Sequence, residues 1–213
     1  MNLDQTNVDR FNDIAAEWDE EPGRVAMARS VAAAMVAALG PGTTESALEF
    51  GCGTGLVTLE LVPHFAHLTA MDASSGMLGI LRKKCERQGV TNITLIEGNV
   101  PDGIPHEPYD VIASSMTMHH VEDVAGLLRV LFAHLKPGGR VALADLDAED
   151  GSFHGDAKGV AHHGFERAAF EQMLVAAGFE SIRISTAHVV HKDRDDGGND
   201  YPIFLAVASK AGG

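Results

Sequence analysis

The sequence predicts an α/β fold, a doubly wound and mostly parallel sheet of seven strands preceded by an N-terminal helical cap. Three observations support this prediction. Short apolar runs alternate with longer helical stretches from residue 47 onward, a pattern typical of βαβ units. A glycine-rich turn follows the first apolar run, and the last two apolar runs follow one another with no helix between them.

Chain length is that of one domain. A chain of 213 residues buries roughly 70% of its unfolded surface on folding, so its core needs no covalent staples. We expect a single domain over 1–213, with the cap at 1–45 and the sheet-building core at 46–145. Residues 146–213 then contain a loop, a helix and the final two strands.

Charge and composition limit the partners. Lys and Arg number 16 against 30 Asp and Glu, and the formal charge of −14 would repel nucleic-acid backbones. The first residues lack the basic start and apolar run of a secretion signal, and the longest apolar run, residues 31–39, is far too short to cross a bilayer. Cys52 and Cys85 form no C-x-x-C pair. We therefore expect a cytoplasmic monomer or homodimer that binds neither nucleic acid nor membranes.

The cap contains two predicted helices. Val8, Phe11, Ile14 and Trp18 recur at helical spacing, which predicts an amphipathic helix that ends before Pro22. An alanine-rich helix then runs over 24–39 and ends at a Gly-Pro-Gly sequence, in which glycine supplies a left-handed cap and proline prevents continuation.

The remaining elements alternate along the chain. Strands are predicted over 47–50, 68–71, 93–96, 110–114, 140–144, 181–187 and 202–208, and helices over 56–63, 77–88, 121–135 and 167–177. The sequences Lys-Pro-Gly-Gly at 136–139 and Ala-Gly-Phe at 177–179 are expected to break the helices that precede the fifth and sixth strands. The polar segment 191–200 joins the last two strands, which should pair antiparallel at one edge.

The turn after the first strand favours a particular ligand. Its glycines stand at 51, 53 and 55, so the G-x-G-x-x-G fingerprint of dinucleotide folds fails at Leu56. Glu49 would repel a pyrophosphate but attract an ammonium group, directly or through water. A methionyl group fits, since its carboxylate can bind free amides near the helix start. The turn alone is equally compatible with an ordinary strand-to-helix connection.

An acidic residue at the end of the second strand adds to this interpretation. Asp72 lies 21 residues after Gly51, where its side chain can accept hydrogen bonds from both ribose hydroxyls of an adenosine. A ligand with both an amine and an adenosine is therefore expected.

Four segments resemble the ordered motifs of class I S-adenosylmethionine-dependent methyltransferases. They are E-F-G-C-G-T-G from residue 49, M-D-A-S-S-G-M-L from 71, Y-D-V-I-A-S-S-M-T-M-H-H-V-E-D from 109 and L-K-P-G-G-R-V-A-L-A-D from 135. The resemblance implies a Rossmann-like sheet in the order 3-2-1-4-5-7-6 with the seventh strand antiparallel. It also implies that S-adenosyl-L-methionine is the cofactor and that a small-molecule acceptor receives its methyl group by in-line displacement.

The resemblance also implies which residues bind the cofactor. Gly51, Cys52 and Gly53 would lie along the methionyl part, and Ala73 and Met77 beside the adenine, although a helical Met is often a core residue. The full expected set is Trp18, Glu49, Gly51, Cys52, Gly53, Gly55, Asp72, Ala73, Met77, Asn99, Val100 and Ser115.

Two of these expectations carry alternatives. Asn99 stands where the family usually has an aspartate that accepts from the adenine amino group, so a weaker, uncharged contact is expected. Trp18 would close over the cofactor if the N-terminal helix caps the pocket, but it could equally be a core residue.

Histidines are the candidates for proton transfer. His119 follows the fourth strand, at the carboxyl edge where open α/β sheets bind ligands, and either a proton-transfer or an orienting role is possible there. The long segment 146–164 should fold over the acceptor, and His163 is its first candidate, ahead of His154 and His162. We expect no metal site, because the spacing H-x7-H-H matches no closed zinc pattern. A solvated loop is the alternative.

Two other functions remain open at this point. A non-catalytic S-adenosylmethionine-binding protein would keep the same pocket, and an NAD(P)-dependent oxidoreductase is disfavoured by the failed fingerprint. Whether the acceptor atom is oxygen, nitrogen, sulfur or carbon is also open.

Overall fold

A computed structural model describes residues 5–154, 159–192 and 198–213. Within these residues the strands are β1 (Ser46–Phe50), β2 (His67–Asp72), β3 (Ile93–Glu97), β4 (Tyr109–Ser115), β5 (Leu135–Leu146), β6 (Glu180–Lys192) and β7 (Asn199–Ser209). The helices are α1 (Gln5–Ile14), α2 (Pro22–Leu39), α3 (Thr58–Leu61), α4 (Ser75–Gln88), α5 (Val124–Ala133) and α6 (Arg167–Ala177). Single 3-10 turns occupy Trp18–Glu20, Val62–His64 and Met118–His120.

All seven strands form one sheet in the order β3-β2-β1-β4-β5-β7-β6. The first five strands in this order are parallel, and β7 runs antiparallel to both β5 and β6. The predicted fold class, strand order and antiparallel ending are confirmed. The carboxyl ends of β1, β2, β4 and β5 therefore meet at one edge, where ligands bind in open α/β sheets.

Helices cover both faces of the sheet, because its strands carry apolar side chains on both sides. The α2, α3 and α4 helices pack on one face through residues such as Met35 and Leu81, which are fully buried. The α5 and α6 helices pack on the other face through residues such as Leu131 and Phe170. The two cores hold the strands rigidly, so the strand ends form a fixed platform for the site.

The cap and the segment after β4 differ from the predictions. The N-terminal helix ends at Ile14, because the following amides of Glu17 and Trp18 bond three residues back and tighten the chain. Trp18 therefore lies in a 3-10 turn. The helix predicted over 121–135 begins only at Val124, where the Asp123 side chain accepts from the Gly126 amide at 2.8 Å.

The glycine-rich stretch at 136–139 lies within β5 and not in a loop before it. The chain near the C-terminus runs beside this stretch, since the Lys210 amide donates to the Gly139 carbonyl at 2.8 Å and Gly138 donates to Ala211. The other predicted break is confirmed, because Gly178 caps α6 at φ 103°. No helix in the described ranges is long and apolar enough to cross a membrane.

Candidate active site

A cavity of about 430 Å³ opens at the carboxyl edge of the sheet. The ends of β1, β2 and β4 form its floor, and the cap forms part of its wall. Eleven of the twelve residues predicted to bind the cofactor line it: Trp18, Glu49, Gly51, Cys52, Gly53, Asp72, Ala73, Met77, Asn99, Val100 and Ser115. Its size is in the range of cavities that hold small ligands.

The glycine turn shapes one side of the cavity. Gly51 and Gly53 have φ angles of 65° and 54°, a region that other residues rarely adopt. A Cβ on Gly51 would overlap the Thr117 side chain, whereas a Cβ on Gly53 would meet no atom within 4 Å. The space in front of Gly53 therefore lets a ligand approach the backbone closely.

Gly55, the twelfth predicted residue, is not part of the cavity lining. Its φ is 82°, and a Cβ there would overlap the Leu81 side chain of α4. The absence of a side chain at this position thus allows α4 to pack close to the turn. The structure places this glycine against Leu81 of α4 and outside the cavity lining.

Glu49 has an unusual environment for a carboxylate. Its side chain is 2% exposed, and its Oε2 atom is buried with no hydrogen-bond partner. Burial raises the pKa of Glu49 to about 8, the neighbouring Thr58 hydroxyl opposes this rise, and the charge of Asp72 adds to it. Neither Glu49 Oε2 nor Thr58 Oγ1 has a partner at hydrogen-bonding geometry. An ammonium group at this point would supply the missing donor and favour the ionised carboxylate. The residue fits the amine of the expected cofactor.

Asp72 is held by the backbone on one side. The Gly53 amide donates to its Oδ2 at 2.7 Å, and the Ser74 amide donates to its Oδ1 at 2.8 Å. Burial raises the pKa of Asp72, and these amide bonds work against that rise. Each oxygen keeps a second lone pair, so the carboxylate can accept from two vicinal hydroxyls.

Asn99 carries the second orphaned oxygen of the cavity. Its Oδ1 is buried without a partner, and its residue lines the cavity beside the buried Val100. An amide oxygen accepts two hydrogen bonds, so an amino group on an adenine would satisfy it. Met77 is 2% exposed and contributes apolar wall to the same cavity.

Four contacts hold the cap against the cofactor side. The Asn12 Oδ1 accepts from Ser74 Oγ at 2.7 Å and from the Gly76 amide at 2.8 Å. Asp19 accepts from Thr54 Oγ1 at 2.5 Å and pairs with Lys84. These contacts tie the cap to the glycine turn and to the start of α4.

Trp18 packs within the cap and also faces the cavity. Its ring lies edge-on to Phe11 at 5.8 Å, and the Arg24 guanidinium sits 4.1 Å from its centroid. Since Trp18 lines the cavity, a ligand there changes its surroundings.

A buried pair lies at another part of the cavity wall. His119 is 1% exposed, and its Nδ1 lies 2.7 Å from Oδ1 of the fully buried Asp145. Burial alone would raise the pKa of Asp145, but the interactions with His119 and two backbone amides lower it below its ordinary value. Asp145 therefore stays ionised and orients the imidazole.

Two further imidazoles surround this pair. The ring of His119 lies 4.2 Å from that of His120 and 4.8 Å from that of His154. His120 Nδ1 lies 2.7 Å from the Gly159 carbonyl. Burial, and then the proximity of His119, lowers the pKa of both His120 and His154 to about 4. Both rings are neutral at pH 7, and all three histidines line the cavity.

His163, the first candidate of the 146–164 segment, lies elsewhere. Its side chain is 47% exposed, its Nδ1 is 3.6 Å from Glu149 Oε1, and it does not line the cavity. His162 Nε2 lies 2.9 Å from the Val121 carbonyl, also outside it. His154 is the histidine of this segment that reaches the cavity. Asp156, part of the same segment, lies outside the described residues.

The described ranges hold no group of three or more His, Cys, Asp and Glu side chains arranged for a metal ion. The imidazoles of His119, His120 and His154 line the cavity as hydrogen-bonding groups. With a pKa of about 4, His120 and His154 are weak bases at pH 7.

Comparison with known proteins assigns the chain to a family. Residues 23–184 match the family described as "Methyltransferase domain". The chain belongs to this methyltransferase family. It is 31% identical over 163 residues to an uncharacterized methyltransferase of Schizosaccharomyces pombe. The match covers 69% of this chain and 56% of that protein. The chain spans about half the length of the curated relatives it matches first.

Solved structures share the fold of the methyltransferase. DhpI in complex with SAH matches 99% of this chain and 98% of its own length, with a TM-score of 0.72 and 20% identity. The Haemonchus contortus phosphoethanolamine N-methyltransferase 2 in complex with S-adenosyl-L-methionine matches 84% of this chain and 52% of its own length. Its TM-score is 0.69 at 16% identity. At such identities the likeness concerns the fold.

Several residues of the site were missed by the sequence analysis. Asp145 ends a quoted motif, and its place at the carboxyl edge was a signal that it faces the site. Asn12 and Asp19 belong to the cap, and Lys192 ends β6 and lines the cavity. No local motif marks these three, because their partners are distant in sequence.

Proposed function

We propose that this methyltransferase binds S-adenosylmethionine in the cavity and transfers its methyl group to a small-molecule acceptor. The observation that carries the proposal is the pair of orphaned oxygens, Glu49 Oε2 and Asn99 Oδ1, in the cavity that Asp72 also lines. An ammonium group, an adenine amino group and two ribose hydroxyls would satisfy all three side chains. Few ligands carry these groups together.

S-adenosylmethionine held by Glu49, Asp72 and Asn99 would supply an electrophilic sulfonium methyl, and its transfer to the acceptor atom would leave the electron pair of the broken carbon–sulfur bond on sulfur. The chain's own residues then need to align the acceptor, exclude water and hold the acceptor's proton. The apolar cap residues Phe11 and Trp18 line the cavity and serve to exclude water.

His119 is the residue that we propose accepts the proton. A neutral ring that donates from Nδ1 to Asp145 has Nε2 as its acceptor, and the buried carboxylate stabilises the cation formed on protonation. The distances around Asp145 support this tautomer, since both His119 and Leu146 amides also donate to the carboxylate. His163 lies beside Glu149 outside the cavity, so His119 is preferred to it.

Titration calorimetry with S-adenosylmethionine and with NADH tests the proposal. We expect one S-adenosylmethionine bound per chain and no NADH, because the glycine turn has Leu56 where the G-x-G-x-x-G sequence of dinucleotide folds has its third glycine. Asp145→Asn should leave cofactor affinity unchanged but lower the rate of methyl transfer and shift its pH profile. NADH binding without S-adenosylmethionine binding would contradict the function, and an unchanged pH profile would contradict the role of His119.

A further inference from the structure

Lys192, the last residue of β6, has a fixed position in the cavity wall. Its ammonium donates to the Phe153 carbonyl at 2.5 Å and lies 4.0 Å from the centroid of the Phe153 ring. The ring of Tyr201 is 5.9 Å away. These contacts hold the side chain, and among the described residues the Phe153 carbonyl accepts from one of its three N–H donors.

Within the described part of the chain, no carboxylate lies at ion-pair distance from Lys192. Nearby Asp200 is bonded to His191 at 2.7 Å. Among the carboxylates of the cavity wall, Glu49 and Asp72 are assigned to the cofactor, and Glu21 pairs with Arg24 at 3.3 Å.

Two cations act on the histidines of the cavity. The charge of Lys192 contributes to the lowered pKa of His154, and the charge of Arg10 contributes to that of His120. Among the described carboxylates, Asp145 acts on both rings in the opposite direction and is bonded to His119. A partly buried cation beside a ligand cavity favours an anionic group on the ligand.

We propose that Lys192 binds a carboxylate of the methyl acceptor, which is therefore a small acid. This inference rests on the proposed function of the same cavity. A carboxylate has no proton to give at neutral pH, whereas His119 is placed to take one. The acceptor therefore carries a second group, a hydroxyl, amine or thiol, that loses a proton to the imidazole and receives the methyl. The aromatic side chains of Phe11 and Phe153 suit a compact apolar frame between the two groups.

The test compares acids with their neutral amides. The protein is first saturated with S-adenosylhomocysteine, and dissociation constants are then measured by calorimetry for salicylate and salicylamide, anthranilate and anthranilamide, thiosalicylate and thiosalicylamide, and lactate and lactamide. Each pair differs only in the charged group. Failure to bind S-adenosylhomocysteine contradicts the proposed function and is seen before any acid is added.

The variants are Lys192→Gln, Lys192→Arg and the control Lys210→Gln. Lys210 matches Lys192 in its contacts, since its ammonium donates to the Phe132 and Leu135 carbonyls and lies 4.8 Å from the Phe132 ring, but it does not line the cavity. Lys210→Gln therefore removes a lysine with similar contacts that lies outside the cavity.

We expect at least one acid to bind about tenfold or more tightly than its amide, the effect of one charge-assisted hydrogen bond. Lys192→Gln should abolish that preference, while Lys192→Arg and Lys210→Gln retain it, all with unchanged affinity for S-adenosylhomocysteine. The proposal is overturned if no acid binds more tightly than its amide, or if the preference survives in Lys192→Gln. Should Lys192→Gln not fold, loss of the preference in Lys192→Arg overturns it.

Discussion

Glu49 links cofactor binding to proton release. Burial raises the pKa of Glu49 to about 8, so its carboxyl is mostly protonated at pH 7. An ammonium beside Oε2 would favour the carboxylate and lower this pKa. Binding of S-adenosylmethionine should therefore release the proton of Glu49 to the buffer.

The size of the effect follows from this pKa. A group with a pKa of about 8 is roughly 0.9 protonated at pH 7, so Glu49 should contribute roughly 0.9 protons per cofactor bound. Glu49→Gln keeps the shape of the side chain but has no proton to release. The difference in protons released between the wild type and Glu49→Gln gives the contribution of Glu49, because the amine of the cofactor contributes equally in both proteins.

Calorimetric titrations in buffers of different ionisation enthalpy measure this number directly. Glu60→Gln is the matched control, since Glu60 is an exposed glutamate whose carboxylate lies 3.8 Å from Arg29. It should release as many protons as the wild type. If Glu49→Gln also releases as many, the ammonium does not bind at Glu49 and the reasoning is wrong.

Three further predictions concern the same cavity. Asp72→Ala should weaken S-adenosylmethionine binding by about 1.5 to 3 kcal/mol in calorimetry, since it removes charge-assisted bonds to hydroxyls; unchanged affinity would refute the ribose placement. Asn99→Asp should strengthen binding roughly fivefold, because a charged acceptor bonds an amino group more strongly; weaker binding would argue against an adenine amino group there. Trp18 fluorescence should change on saturation with cofactor, because Trp18 lines the cavity; a constant spectrum would place the ligand away from the cap.

The strands β1, β2, β4, β5 and β7 were predictable because each contains a short apolar run that is buried in the sheet. Phe50 and Leu48 in β1 are fully buried. Near-continuous apolar runs of this kind are typical of the buried strands of parallel sheets. The extension of β6 to Lys192 was not predictable, since its half-exposed residues carry no apolar run. Their pairing with β7 is a long-range contact that local pattern does not encode.

The candidate site also contains residues that were predictable from sequence and residues that were not. Glu49 and Asp72 follow strand ends within local motifs, so their common position at the carboxyl edge could be inferred from topology. The contact of His119 with Asp145 joins positions 26 residues apart, and the approach of His154 depends on how a long segment folds. The choice of His163 over His154 was wrong because it depended on the conformation of the segment 146–164, which composition and spacing do not specify.

The most direct measurement is a crystal structure of the protein with S-adenosylhomocysteine. The account predicts the homocysteine amine within hydrogen-bond distance of Glu49 Oε2, both ribose hydroxyls on Asp72 and the adenine amino group on Asn99 Oδ1. An adenosine bound outside this cavity, or an amine that leaves Glu49 Oε2 unpaired, would contradict it.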